Sequence, residues 1–217
     1  MGISWKEHAN KFWRFIWHDE SVSSLLANIV IAFLIIRFIF YPLLGVVLGT
    51  SFPIVAVVSE SMEHGLHQGQ LCGQSFVEYR ESFDNYWKIC GSWYTQVGIS
   101  DEQFKKFTLS DGFNKGDVIL LWRADKDNIQ VGDVLIFQGT KPQPIIHRVV
   151  KIWQEDSKYY YQTKGDHNSG SIQGDYGETS ISQERIYGKG ILRIPYLGWV
   201  KILFVDAVRP LGINIQR

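Results

Sequence analysis

A mainly β domain carried behind an N-terminal transmembrane helix, with a small helical insertion, is the architecture this sequence predicts. Three observations lead there. Residues 25–48 are almost wholly apolar, residues 113–194 hold a succession of short apolar runs broken by Gly, Pro and Asp, and nowhere do strand and helix patterns alternate as a parallel βαβ sheet requires. The chain has 217 residues, 45% of them hydrophobic and 14% aromatic, which is ample for a packed core and excludes a disordered protein. Lys plus Arg and Asp plus Glu stand at 22 each, so no field of one sign favours nucleic acid, and DNA or RNA binding is set aside.

Residues 1–24 mix Trp5, Trp13 and Trp17 with Lys6, Lys11 and Arg14, a composition suited to a membrane–water boundary. They read as a short interfacial helix, the alternative being an amphipathic helix packed on a soluble domain. Leu25 to Leu48 then supplies enough residues, at about 1.5 Å each, to cross a hydrocarbon core of roughly 30 Å. Arg37 within it costs about 2.5–3.5 kcal/mol on insertion scales, which its many apolar neighbours offset and which snorkelling reduces. Tyr41-Pro42 marks a possible kink. Gly49-x-Ser51 has the small residues of a signal-peptide cleavage site, but the apolar run exceeds the roughly 7–15 residues of such a signal, so an uncleaved anchor is expected. The basic upstream flank places residues 1–24 in the cytoplasm and residues 49–217 outside it, on a single-pass protein of the cell membrane.

Ile54 to Val58 is a β-branched run with the composition of a strand buried on both faces, and it stops at Ser59-Glu60-Ser61-Met62. A hydroxyl at the end of a stiff strand has a fixed direction, as a nucleophile requires. Beyond the turns at Gly65, Gly69 and Gly73, residues 74–112 form the helical insertion. Phe76, Tyr79, Phe83, Tyr86 and Cys90 recur there at helical spacing, and a second helix starts at a capping box of Ser100 with Gln103, stapled by Ile99 and Phe104 and closed by Gly112. These aromatics suit a small core of their own. Cys72 and Cys90 lack a zinc-type spacing; whether they pair is left open.

Two strands follow a repeated theme, Gly116-Asp117 feeding Val118–Trp122 and Gly132-Asp133 feeding Val134–Phe137. After Lys141–Pro144 comes Ile145–Trp153, where alternation sets Ile146, Val150 and Ile152 on one face and His147 with Val149 on the other. Tyr159–Tyr161 and Gly188–Ile194 complete the strands. The tail, residues 196–215, is too short and broken to span and reads as an amphipathic segment on the membrane or the sheet.

An imidazole can accept a serine proton at neutral pH, and His147 in Ile-Ile-His-Arg-Val-Val is the candidate base. Lys164 is the alternative, provided that burial strips its charge. A carboxylate must orient the imidazole, and Asp166 in Gly165-Asp166-His167-Asn168 and Asp175 in Gly174-Asp175 are available. No metal spacing joins the histidines, and no cofactor is called for.

Taken in order behind an anchor, Ser59-Glu60-Ser61-Met62, the Gly-Asp strands, His147-Arg148-Val149, the Gly-Asp-x-Asn box and Pro195-x-x-Gly198 resemble the type I signal peptidases. His-Arg-Val resembles their archaeal and endoplasmic-reticulum branch rather than the bacterial branch, which has lysine in that strand. The insertion lies outside the common core. The resemblance implies a coiled β-sheet catalytic domain, Ser61 as nucleophile, the Ser61 N–H and Ser59 hydroxyl as oxyanion hole, and His147 as base. It implies a second aspartate a few residues beyond Asp166; Asp175 is favoured, at longer spacing than usual, with Asp166 shaping the site. Preprotein signal peptides would add as a strand beside Phe52–Val58, with Val55, Val57 and Val58 as substrate-binding residues and small side chains preferred before the cut. Membrane lipid and the secretion machinery are the other implied partners. Two rival readings are a non-catalytic anchored β-domain that binds peptides or a partner complex, and a self-cleaving repressor-type protease, against which the anchor and neutral charge speak.

Overall fold

The computed structural model describes residues 5–140, 142–174 and 177–208. They fall into two units that divide between Val47 and Leu48. The first opens with α1 (Trp5–His18), along which the Trp13 and Trp17 rings lie 5.5 Å apart. Ser21 caps α2 (Val22–Ile35), its hydroxyl accepting from the Ser24 N–H at 3.2 Å. Asn28, an oddity in an apolar run, has a local purpose. Its amide donates to the Ile16 carbonyl at 2.9 Å and the Ser24 hydroxyl donates to the Phe15 carbonyl at 2.5 Å, covering acceptors that the last turn of α1 leaves unpaired.

The helix then continues through a π turn at Ile36–Phe40 into α3 (Tyr41–Leu48), so that 27 residues from Val22 to Leu48 form one apolar helix long enough to cross a membrane. It starts three residues before the predicted Leu25, because the Ser21 cap and not the first leucine sets the boundary. Where a kink was expected at Tyr41-Pro42, the helix has this π turn just before it. Pro42 has no N–H and its ring would strike the carbonyl four residues back, and the widened turn, in which the Tyr41 N–H reaches Ile36, relieves that clash.

The second unit is a seven-stranded antiparallel sheet. Its strands are β1 (Ile54–Ala56), β4 (Val118–Trp122), β5 (Val134–Phe137), β6 (Ile145–Glu155), β7 (Lys158–Lys164), β8 (Ile181–Ser182) and β9 (Ile186–Ile194), in the order β1-β4-β9-β5-β6-β7-β8. A separate hairpin pairs β2 (Gln70–Leu71) with β3 (Gln74–Ser75). The repeated Gly-Asp turns share one mechanism. Asp117 accepts from the Asn114 N–H at 2.8 Å and Asp133 from the Gln130 N–H at 2.9 Å, while Gly116 and Gly132 take φ of +89° and +99°, which a side chain resists.

Two expectations are corrected. β1 is half-buried and stands at the sheet edge, so Ile54–Val58 is not buried on both faces. Ile152 joins Val149 beneath β6, because a bulge between Val149 and Lys151 inserts one residue and reverses the alternation beyond it, a break that periodicity does not reveal.

The insertion builds its own core, as the aromatics suggested. α4 (Phe83–Gln96) and the single turn α5 (Asp101–Phe104) bury Tyr86, Cys90, Tyr94, Ile99 and Phe104 with Leu71 and, from β6, Val150. The Ser100–Gln103 capping box forms, but Phe76 and Tyr79 precede the helix, which Ser82 caps. Cys72 and Cys90 are joined, closing a loop of 18 residues between the β2–β3 turn and α4. Replacing both with serine should lower unfolding free energy by about 3 kcal/mol, read as a shift of the denaturant midpoint; an unmoved midpoint would mean that the aromatic packing alone holds α4. After β9, α6 (Trp199–Val208) buries Ile202 and Val205 and exposes the apolar Val200 and Leu203. Residues 209–215 of the tail lie outside the described residues.

Candidate active site

β1 delivers the chain to a tight turn in which the Glu63 N–H closes on the Glu60 carbonyl at 3.1 Å. Met62 is buried beneath it, and the Ser61 and Met62 carbonyls accept from the His167 and Phe113 N–H groups at 2.9 and 3.1 Å. Lys115 secures the outer side, bonding Glu60 through its ammonium and Glu63 through its backbone N–H, each at 3.0 Å. The turn is thus pinned from three directions, and the Ser59 and Ser61 hydroxyls face one another at 3.2 Å.

His147 comes from β6, opposite Leu135 of β5, and its ring is buried. Its Nδ1 pairs with Glu178 Oε1. The same carboxylate accepts from the Thr163 hydroxyl at 2.9 Å and the Ile172 N–H at 2.7 Å, so both oxygens are committed. A carboxylate accepts, so Nδ1 carries a proton toward Glu178, and Nε2 is the ring nitrogen left for the opposite side. Nε2 lies across Gly165 from the serine turn. A methyl group on Gly165 would lie 2.7 Å from His147 Nε2, 2.7 Å from the Ser61 carbonyl oxygen and 2.6 Å from the Asn168 amide nitrogen. The imidazole and the Ser61 main chain therefore lie within twice that distance of each other, with glycine the residue that lets them converge. Gly165→Ala should cost about a hundredfold in kcat through displacement of about 1 Å, in a protein whose circular dichroism is unchanged; near-normal turnover would disprove the convergence.

Asp166 is elsewhere. It is fully buried, bonded by Arg148 Nε at 2.9 Å and Nη2 at 2.7 Å, by His64 at 3.1 Å and by the Tyr94 hydroxyl at 2.8 Å. Burial alone would raise its carboxyl, but the Arg148 charge and the His64 and Arg148 hydrogen bonds hold it well below the usual carboxylate range. Arg148 spends its remaining donors on the carbonyls of Thr108, Gly132 and Leu109 at 2.8–2.9 Å. Asp166 thus locks the insertion to β6 and β7 and shapes the site without meeting His147. Asp175 lies outside the described residues.

Lys164 fails as a base on direction. It is fully buried against the rings of Trp93 and Tyr94, donating to the Gly165 and Asp166 carbonyls at 3.0 and 3.2 Å. Burial lowers its pKa to about 8, against the pull of Asp166 and Glu178, so the charge condition is partly met. Yet it faces the insertion, whereas Thr163, its neighbour in β7, is the residue that meets Glu178.

At the sheet edge, the Val57 N–H and carbonyl both bond the Gly116-Asp117 turn at 2.9 Å, and Pro53 accepts from Leu121 at 2.9 Å. Alternation then turns the main-chain groups of Ile54, Ala56 and Val58 outward, since Val55 shares the inward direction of Pro53 and Val57. Of the three substrate-binding residues read from the sequence, Val58 keeps a free-edge position; Val57 is a core residue, 2% exposed, and Val55 packs against the same core. Glu178 is a residue that the sequence reading did not single out: the resemblance implies an aspartate near Asp166, whereas glutamate reaches His147 from farther along by one extra methylene.

No family model matches the chain. Among curated proteins it is 29% identical over 103 residues to the signal peptidase complex catalytic subunit SEC11C of Homo sapiens, covering 46% of this chain and 54% of that one. The catalytic subunits SEC11 of Colletotrichum graminicola and Metarhizium robertsii are 31% and 33% identical over 103 residues, with 60% of each covered. The chain is homologous to these SEC11 subunits, which by their names are catalytic subunits of a signal peptidase complex. It spans a little over half the length of the human subunit it matches. The curled antiparallel sheet and the apolar helix before it in the chain agree with that relationship.

Proposed function

We propose that this SEC11 homologue is a serine endopeptidase, anchored in the membrane by Val22–Leu48, that removes signal peptides from secreted preproteins after small residues. The observation that carries the reading is the convergence of His147 Nε2 and the Ser61 turn over Gly165, with Glu178 on the far side of the imidazole. His147 takes the Ser61 proton as the hydroxyl oxygen attacks the scissile carbonyl carbon. The oxyanion rests on the Ser61 N–H and the Ser59 hydroxyl, each such donor being worth about 2.7–4 kcal/mol in the transition state. Collapse breaks the C–N bond, and the leaving amine takes the proton from His147. Water then attacks the ester while His147 takes one of its protons, the tetrahedral intermediate breaks its C–O bond to Ser61 as His147 passes that proton to the serine oxygen, and the signal peptide leaves as an acid that ionises to the carboxylate in solvent. Glu178 keeps the ring in the required tautomer throughout.

The preprotein adds to the free edge of β1 through Ile54, Ala56 and Val58. The catalytic unit stands outside the cytoplasm, the basic residues before the span remain within it, and partner subunits of a signal peptidase complex join at the membrane. Incubating the full-length protein in detergent with a preprotein bearing an Ala-x-Ala site tests the activity. Cleavage after the second alanine is the expected result; an intact preprotein that still binds would leave a peptide-binding β-domain in its place.

A further inference from the structure

Beside the catalytic groups, and outside the edge that takes the signal peptide, α4 and the turn after Gly165 enclose a cleft of about 140 Å³. Gln74, Ser92, Trp93, Gln96, Asn168 and Ser169 line it, and the Cys72–Cys90 disulfide joins its walls. Asn168 belongs to both places: it borders this cleft, and its amide approaches the point over Gly165 where His147 and Ser61 converge.

We infer that this cleft holds the first residues of the mature chain, those that follow the scissile bond. The inference rests on the proposed peptidase reading and on the path of one proton. His147 must protonate the leaving nitrogen, so that nitrogen sits at Nε2 and the chain beyond it departs on the imidazole side of Ser61. The residues before the cut occupy the β1 side. On the imidazole side the chain next meets Asn168, and then the cleft. The lining suits such an occupant, because it carries no formal charge. Its amides and hydroxyls both donate and accept, and can bond the main chain of an extended peptide whatever its sequence, while Trp93 supplies one apolar surface. The mature segments of many preproteins share a main chain and little else. The insertion therefore supplies the half of the substrate groove that follows the cut.

The test compares two peptides with the same residues before the cut, one ending in an amide directly after the first mature residue and one extended by about five residues, roughly 17 Å of chain. Ser92→Trp and Gln96→Trp, both at exposed positions of α4, fill the cleft from one wall without touching the catalytic groups. Wild type should cleave the long peptide with roughly tenfold higher kcat/KM, the effect of one or two hydrogen bonds. Both variants should lose that advantage and keep the wild-type rate on the short peptide, which also shows them folded. A long-to-short ratio that is unity in wild type, or unchanged in both variants, overturns the inference and leaves the peptidase intact. Failure of wild type to cut either peptide overturns the peptidase reading, and this inference with it.

Discussion

Ser61→Ala is expected to reduce preprotein turnover by on the order of 10⁶-fold, with no change in stability. The size follows from what the hydroxyl does: it is the atom that forms the covalent ester, and no neighbour can replace it. Ser59 lies 3.2 Å away but sits two residues nearer to β1, and its exposed side chain does not share the position of Ser61, whose carbonyl is held by the His167 N–H. Stability should hold because, among the described residues, the Ser61 hydroxyl bonds only Ser59, while the turn is kept by main-chain bonds and by Lys115. Single-turnover cleavage in detergent measures the rate, and a denaturant curve measures the fold. A Ser61→Ala protein that retains even a hundredth of normal turnover would remove the nucleophile assignment. Ser59→Ala should be milder, by about a hundredfold to a thousandfold, as the loss of a single oxyanion donor.

The sequence made the serine turn, the histidine strand and the Gly-Asp-x-Asn box legible because each is local. Ser61 follows a strand whose composition announces it, and the Gly-Asp turns carry their mechanism in two adjacent residues. What the sequence concealed depends on packing between distant segments. The bulge at Val150 leaves no compositional trace, yet it decides which side of β6 Ile152 faces. Arg148 reads as an ordinary strand residue beside His147, and its role appears only where Thr108, Leu109, Gly132 and Asp166 surround it. The same is true of Gly165, whose importance lies in the approach of two side-by-side elements and not in a positive φ. Asn28 is polar within an apolar segment, and only the end of α1, whose Ile16 carbonyl it meets, explains it.

The two carboxylates should separate cleanly in a paired experiment. Glu178→Gln keeps the shape of the side chain but offers an amide where His147 Nδ1 needs an acceptor, inviting the wrong tautomer; a loss of about 10⁴ in kcat is expected by analogy with such exchanges in other triads. Its stability should fall only slightly, because the one remaining oxygen can still accept from the Ile172 N–H and the Thr163 hydroxyl can turn to accept from the amide. Asp166→Asn should behave in the opposite way. It leaves Arg148 charged, fully buried and without its counter-charge, which costs about 3–5 kcal/mol. Since the Asp166 carboxyl is held well below the usual carboxylate range, this contribution is fully present above the ordinary carboxylate pKa and is lost only as the pH falls through the depressed folded value. At pH 5 to 8 the wild type should therefore show the full stability difference from Asp166→Asn, and the difference should shrink only in stronger acid. Asp175→Asn completes the set, with an expected change within a few-fold. Should Asp175→Asn instead cause the large loss in kcat while Glu178→Gln remains active, the third member of the triad is the aspartate, and the contact between Glu178 and His147 serves only to fill the pocket.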